Sequence, residues 1–216
     1  MSEYSLIKVG RVETRRRRQP ALAPDERRAA LIAATIPLLH EHGTEVSTRQ
    51  IAQAAGVAEG TIFGVFQHKS ELVICSVVKA LDPRPTLDAI AAIDPAADLR
   101  TRLTRAAEIV HSRFATNADL MHIARRLIIA NELDPQTRER MTETRGQLLR
   151  AVTALLEPDA GRLRIPPGEA ARLLLLYCGA NSFGPYGDTD AFDGAELASL
   201  LLDGILQSDS GGPAKC

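Results

Sequence analysis

The sequence predicts an all-α protein, with a small N-terminal unit of three helices and a larger helical body. The first observation is composition: only 4% of the 216 residues are aromatic, tryptophan is missing, and alanine, leucine, isoleucine, arginine and glutamate are abundant. These residues as a group favour helices over sheets. The second is that apolar residues recur at helical spacing in successive runs. The third is that prolines stand between those runs, as in "LDPRP" and "RIPPGE".

Overall composition indicates a packed globular protein, with 45% hydrophobic and 25% charged residues. Three cysteines, Cys75, Cys178 and Cys216, lack the spacing of a zinc site or a disulfide framework. The apolar run at Leu173–Ala180 is far shorter than the roughly 20 residues that a membrane span needs. We therefore expect a cytoplasmic protein with no cofactor, no metal and no membrane partner.

Charge is distributed unevenly although the net charge is −1. Residues 1–80 contain 11 basic and 8 acidic residues, and the remainder contains 15 and 19. The basic excess is concentrated in four consecutive residues, Arg15, Arg16, Arg17 and Arg18. We predict that residues 1–24 form a disordered arm that attracts polyanions such as DNA. The alternative is an ordinary solvated tail.

The segment "APDERRAALIAATIPLLHEHG" has helix signals at both ends, and the first helix is predicted from Asp25 to His42, with Gly43 as its stop. Asp25 and Glu26 place carboxylates in the first turn, where they stabilise the positive end of the helix dipole. Pro37 lies inside this run and lacks the N–H that would bond the carbonyl of Ala33. A kink is therefore expected at Pro37.

The second helix is predicted to begin after Ser47 or Thr48, either of which can cap its exposed N–H groups. Ile51 and its alanine neighbours form an apolar inner face. Gly56 supplies the left-handed residue that ends the helix.

The third helix is predicted to begin near Ala58 or Glu59 and to carry Ile62 and Phe66 inward. Two short helices that cross through a three- to four-residue turn containing glycine are typical of a helix-turn-helix. The "AGV" corner alone also occurs in ordinary helical hairpins. Because the corner follows a stabilising helix and an arginine-rich arm, residues 25–82 are interpreted as a helix-turn-helix domain.

The rest of the chain is predicted to form a helical body over residues 83–207, separated from the first domain near Asp82. Further helices are predicted over residues 70–80, 96–115, 118–132, 135–156, 167–183 and 194–207. Pro135 and Pro167 suit the first helical turn. Residues 208–216 are expected to be disordered.

The segment from about Arg27 to Ala80 resembles the DNA-binding module of TetR/AcrR-type transcriptional regulators. The matching positions are Thr48, Ile51, Ala52, Ala55, Gly56, Val57, Gly60, Thr61, Ile62, Phe63, Phe66 and Lys69. The resemblance implies a helical homodimer that represses transcription by binding a palindromic operator in double-stranded DNA. It also implies release from DNA when a small ligand, here expected to be apolar or aromatic, binds the larger domain.

The resemblance also implies which residues meet DNA. The residues of this chain that stand at the family's DNA-contacting positions, or next to them, are Thr48, Arg49, Gln50, Glu59, Gly60, Thr61, Phe63 and Lys69. Thr48 and Lys69 are expected at phosphates, and Phe63 along the sugar–phosphate backbone. Gly64 departs from the family, whose members often carry a polar residue there. Few side chains are therefore expected to contact base edges. The arginine arm is expected to supply the missing affinity and selectivity by entering the minor groove.

Two further interfaces are predicted in the body. The candidate ligand contacts are Phe114, His122, Arg126, Met141, Tyr177 and Asn181. For the apolar members the alternative is ordinary core packing, and for His122 and Arg126 it is surface pairing. Residues 167–207 are expected to form the dimer interface, because their helices are more apolar than surface helices. The alternative is burial within one chain.

Two other functional classes are alternatives to a DNA-binding regulator. No nucleophile with a base, metal-ligand spacing, phosphate-binding glycine loop or paired carboxylates stands at a diagnostic spacing, so an enzyme is not expected. "HEHG" at His40–Gly43 places its histidines two residues apart, which does not suit one face of a helix. An architectural DNA binder, which needs neither a cavity nor an operator with twofold symmetry, is the second alternative.

Overall fold

The computed structural model describes residues 23–183, 187–188 and 191–205, without the side chains of residues 183 and 205. Within these ranges every regular element is helical, which confirms the prediction of an all-α fold. Ten α-helices are present there: α1 (Pro24–His42), α2 (Thr48–Ala55), α3 (Gly60–Phe63), α4 (Lys69–Ala80), α5 (Arg84–Ala91), α6 (Leu99–Thr116), α7 (Ala118–Ile129), α8 (Pro135–Leu156), α9 (Pro167–Phe183) and α10 (Gly194–Ile205). Short 3₁₀ helices follow α1 at Gly43–Glu45 and α8 at Glu157–Arg162.

Helix starts follow local side-chain chemistry. The carboxylate of Asp98 accepts a hydrogen bond from the N–H of Thr101, and that of Asp134 accepts one from the N–H of Thr137, each at 3.0 Å. These aspartates satisfy N–H groups that have no partner inside the first turn. Helix α1 runs unbroken through Pro37.

Two helices differ from the prediction. Helix α5 is absent from the prediction, in which the prolines of "LDPRP" only break the helix that precedes them. Pro83 and Pro85 instead lie at the start of α5, where the missing N–H costs nothing. Helix α3 is a single turn that ends at Phe63, before Gly64, so Phe66 lies beyond it rather than within it.

The buried apolar side chains form two clusters. The first cluster contains side chains of α1, α2, α3 and α4. It also contains Leu120, Ile123 and Leu127 of α7. The other joins α5, α6, α8, α9 and α10. The domain boundary near Asp82 remains a prediction, but the clusters do not divide there. Because α7 packs on the N-terminal unit, it belongs to that unit in space although it lies in the body in sequence.

Arg113 connects the two parts of the molecule. Its side chain projects from α6, and its guanidinium donates to the carbonyl oxygens of Leu81, at 2.7 Å, and Asp82, at 3.1 Å. These carbonyls lie at the end of α4. Burial lowers the pKa of Arg113, with the nearby Asp82 carboxylate opposing that effect. Arg113 therefore holds the last turn of α4 against the body.

Candidate nucleic-acid interface

The turn between α2 and α3 is built by local hydrogen bonds. The hydroxyl of Ser47 accepts from the N–H of Gln50 at 3.2 Å, and the amide oxygen of Gln50 accepts from the N–H of Ser47 at 2.8 Å. This reciprocal arrangement is a capping box, which the "STRQ" spacing encodes. Gly56 ends α2 in the left-handed conformation with φ of 67°, where a side chain is strained.

Buried residues hold the two short helices in place. Ile51 of α2, Ile62 of α3 and Phe66 are at most 1% exposed. The guanidinium of Arg28 in α1 lies 4.3 Å from the centre of the Phe66 ring and forms an ion pair with Glu71 at 3.2 Å. The helix-turn-helix is therefore fixed against α1 and α4 by both packing and charge.

The outer side of α2 and α3 carries several of the predicted DNA contacts. Arg49, Glu59 and Gly60 are exposed, Thr61 is half-buried, and Phe63 is 54% exposed. A Cβ added to Gly60 would meet no atom of the chain within 4 Å. The protein itself thus leaves open space at Gly60, where a close partner fits. We call Arg49, Glu59, Gly60, Thr61 and Phe63 the α2–α3 face.

Three predicted contacts already have partners within the protein. Gln50 is engaged in the capping box. The hydroxyl of Thr48 donates to the carboxylate of Glu59 at 2.5 Å. The ammonium of Lys69 donates to the carbonyl oxygen of Thr44 at 2.9 Å. The sequence encoded the Gln50 bond in its capping spacing, whereas no pattern in it indicated the other two.

The predicted DNA contacts also include the arginine arm. Arg15, Arg16, Arg17 and Arg18 lie outside the described residues. Their predicted role in the minor groove therefore stays a prediction.

The six predicted ligand contacts are not brought together. His122 and Arg126 are exposed on α7, and Tyr177 is 45% exposed on α9. Phe114 is half-buried and packs against the core of the body, whereas Met141 packs against the other cluster. Their shared role as a ligand site stays a prediction that this arrangement does not support.

Asn181, the sixth candidate, belongs to a small polar network. Its amide oxygen accepts from the N–H of Asp188 at 3.2 Å, and its amide nitrogen donates to the carbonyl oxygen of Asp188 at 3.0 Å. The same nitrogen lies 3.1 Å from Nε2 of His111. Because the bonds to Asp188 fix the orientation of the amide, His111 accepts at Nε2 and is neutral. Burial lowers the pKa of His111, whose ring stacks on Phe192 at 3.7 Å.

A large open groove of about 1670 Å³ lies between the N-terminal unit and α8. Apolar side chains contribute to its wall from three elements: Ile32 of α1, Ile74 and Val78 of α4, and Leu133 before α8. None of the six predicted ligand contacts lines it. Sequence reasoning missed these residues because each is ordinary on its own helix, and only the packing of α1, α4 and α8 makes them neighbours.

An apolar face is exposed on the last two helices. Leu173 is 43% exposed, Leu176 54% and Leu200 64%. Together with Tyr177 they form what we call the α9–α10 face. Cys178 lies beneath it and is fully buried, and burial raises the pKa of its thiol to about 12. A thiol in this state is a poor nucleophile.

The described ranges contain neither a candidate metal site nor a candidate membrane span. Within them, His, Cys, Asp and Glu side chains form no group of three that can hold a metal ion. No helix there combines the length and the apolar character that a membrane span requires.

Comparison with known proteins identifies the N-terminal domain. Residues 31–74 match the family model of bacterial regulatory proteins, tetR family. A search of curated proteins finds no significant match.

Many solved structures share the fold. A tetR-family regulatory protein from Rhodococcus RHA1 is 20% identical, with a TM-score of 0.63 over 85% of this chain and 99% of that one. A transcriptional regulator from Saccharomonospora viridis, solved in complex with choline, is 16% identical, with a TM-score of 0.65 over 85% and 100%. A TetR-family regulator from Mesorhizobium loti is 19% identical, with a TM-score of 0.61 over 87% and 100%. These likenesses establish the fold, and the family model identifies the DNA-binding domain. Residues 31–74 therefore match the tetR family of bacterial regulatory proteins, and the chain has the fold of solved TetR-family regulators.

Proposed function

We propose that this DNA-binding regulator is a homodimeric repressor that binds a palindromic operator and is released by a small ligand. The observation that carries the proposal is the α2–α3 face. It exposes a cation at Arg49, open space at Gly60 and an aromatic ring at Phe63, on a helix-turn-helix held rigid from behind. Cations and close backbone approach suit phosphates, and a rigid helix start suits the major groove.

The α9–α10 face supports the homodimer. Three leucines and a tyrosine lie outward on adjacent helices, in a part of the chain that the sequence predicted to be an interface. A second copy that covers the same patch by twofold symmetry would remove all of this apolar surface from water. Such a dimer carries two helix-turn-helix units and requires an operator with matching symmetry.

The groove supports the ligand response. Its apolar side chains lie on α1, on α4, which directly follows the helix-turn-helix, and at Leu133, whereas α8 lines the opposite side mainly with polar and charged side chains. A ligand in it would touch both parts of the molecule and so bias their relative position. The relative from Saccharomonospora viridis was solved with choline bound, so a protein of this fold can hold a small molecule. We propose that the effector of this chain occupies the groove and is at least partly apolar.

The test of the proposed function is selection of bound DNA from a random pool by the purified full chain, followed by affinity measurements across salt concentrations. We expect an enriched inverted repeat and a steep fall in affinity as salt rises. Binding without an enriched symmetric site contradicts the repressor and favours an architectural binder. Absence of binding at low salt contradicts a DNA-binding role altogether.

The arm and the groove are tested on the selected operator. Deleting residues 1–18 should weaken binding and flatten its salt dependence, if Arg15–Arg18 neutralise phosphates. Val78→Trp, which places a large ring in the groove, should abolish release by an effector found in a ligand screen while leaving operator affinity intact. Ile129→Trp, which adds the same ring at a residue that does not line the groove, is the control.

A further inference from the structure

Glu59 is the only carboxylate between Ser47 and Lys69, and it is exposed on the α2–α3 face. A negative charge on a surface that meets phosphates weakens binding. Over the described residues, no ion pair joins Glu59 to a cation of the protein. Its position therefore costs affinity, and that cost points to a role in choosing the DNA sequence.

The carboxylate of Glu59 has a hydrogen-bond partner within the protein. The hydroxyl of Thr48 donates to Oε1 of Glu59, so the bond joins the first residue of α2 to the residue just before α3. The two residues are 11 positions apart in the chain. A carboxylate has about four lone-pair sites, and the Thr48 bond uses one. Oε2 therefore remains free to accept a hydrogen bond from a partner.

Few of the side chains near Glu59 are able to contact a base edge. Gly60 and Gly64 have no side chains, and Gln50 is engaged in the capping box. Thr61 is half-buried, whereas Glu59 is exposed. Few other side chains on α3 can reach a base edge at this point.

The hydrogen-bonding groups that the bases present in the DNA major groove favour one partner for this carboxylate. An ionised carboxylate only accepts hydrogen bonds, and the exposed donors of the major groove are the amino groups of cytosine and adenine. Adenine presents its N7 acceptor beside the amino group, and an acceptor there repels a carboxylate. Cytosine has no acceptor of its own in the groove, and glutamate is a known partner of its N4 amino group.

We propose that Glu59 is a specificity-determining residue that accepts a hydrogen bond from the N4 amino group of a cytosine in each half-site. Thr48 is a positioning residue that fixes the carboxylate, rather than a phosphate ligand through its hydroxyl. This inference rests on the proposed DNA-binding function and goes beyond it by naming a base and the two side chains that read it.

The experiment is selection of bound DNA by the wild-type full chain and by the Glu59→Ala and Glu59→Gln variants. Wild type should enrich cytosine at one position in each half-site, with discrimination of roughly tenfold. Glu59→Ala should lose that preference, to below about twofold, while keeping the rest of the site. Glu59→Gln should shift the preference to adenine, because an amide pairs with adenine N6 and N7.

Glu41→Gln is the matched charge control, because Glu41 is exposed on the same unit and its loss removes the same charge. It should raise affinity about equally for all sequences. Thr48→Val, which removes the hydroxyl, should weaken the cytosine preference. Thr48→Ser, which keeps the hydroxyl but loses the methyl group, should retain the preference. If Thr48 acted only through packing of its methyl group, serine would not retain it.

A modified operator isolates the proposed hydrogen bond. Replacing the selected cytosine with a pyrimidin-2-one nucleotide, which lacks the N4 amino group, should lower wild-type affinity roughly tenfold. The same replacement should leave Glu59→Ala unaffected. Identical base preferences for wild type and Glu59→Ala overturn the inference while the regulator stands. Failure of wild type to select any site overturns the proposed function and the inference together.

Discussion

The α2–α3 face and the α9–α10 face are both exposed, but they are built differently. The first is polar around one aromatic ring and lies on two short helices whose start and turn are set by local features, such as the Ser47–Gln50 capping box. The second consists of leucines and a tyrosine that lie together only because α9 and α10 pack on α6. The difference teaches that the helices of the proposed DNA surface are encoded locally, whereas the proposed surface for a second copy depends on how whole helices pack.

The largest effect is expected when the α9–α10 face is made charged. The double variant Leu173→Lys and Leu176→Lys should be monomeric at micromolar concentration, because burying four lysines across a twofold interface is very costly. Operator affinity should fall by about a hundredfold or more, since two linked domains bind far more tightly than one. Sedimentation and DNA titration measure the two effects.

Ile129→Lys is the control for the dimer face. Ile129 is 74% exposed but lies on α7, away from the α9–α10 face. It should leave mass and operator affinity unchanged. A dimer of normal mass in the double variant would contradict the assignment of this face.

The next effect concerns Arg113, which links the helix behind the first face to the helix beneath the second. Arg113→Met leaves the carbonyls of Leu81 and Asp82 without their donor, and should lower the free energy of unfolding by about 2 kcal/mol. Urea denaturation followed by two probes, one in each part, measures the loss and whether the transitions separate. Arg105→Met, at an exposed position of the same helix, should change stability by less than about 0.5 kcal/mol.

A smaller effect separates Gly60 from Gly64. Both have open or ordinary space for a Cβ within the protein, so alanine at either position should preserve or raise stability, by up to about 1 kcal/mol. If DNA approaches Gly60 closely, Gly60→Ala should lose about tenfold in operator affinity, or about 1.4 kcal/mol. Gly64→Ala should lose less than about threefold, or about 0.6 kcal/mol. Equal losses would contradict a specific close approach at Gly60.

The smallest effect is a pH dependence beneath the α9–α10 face. Burial lowers the pKa of His111 in the folded protein, so the unfolded chain binds a proton more readily. Stability from this site is therefore full above about pH 6.5 and declines as pH falls below it. His111→Gln should reduce the slope of unfolding free energy between pH 7 and 5, measured in urea. His122→Gln, on the exposed side of α7, should leave that slope as in wild type.

Much of the N-terminal unit was predictable because its structure is specified over short distances. Ser47 and Gln50 encode a capping box three residues apart, and Gly56 encodes the turn. The start of α5 was missed because prolines are found both after the end of a helix and in the first turn of the next. Pro83 and Pro85 do both here. The packing of α7 on the N-terminal unit could not be predicted. The apolar residues of α7 indicate that one side of the helix is buried, but not which other helices bury it.

The candidate ligand residues show the limit more sharply. Tyr177 and Asn181 were chosen as polar groups inside an apolar helix, but Tyr177 is exposed and Asn181 pairs with His111, 70 residues away. The groove formed instead where Ile32, Val78 and Leu133 meet. None of these side chains is unusual within its own segment, so their proximity had no local sign.

The sequence by itself determined the helical class, most helix boundaries and the helix-turn-helix, because caps, glycine turns and apolar spacing act within a few residues of the chain. Tertiary structure alone decided that α7 joins the first core, that Arg113 bonds α4, that Thr48 holds Glu59 and where the groove opens. The Thr48–Glu59 and Arg113–Leu81 bonds join residues 11 and 32 positions apart. Their geometry depends on how whole helices cross, and no short stretch of sequence contains that information.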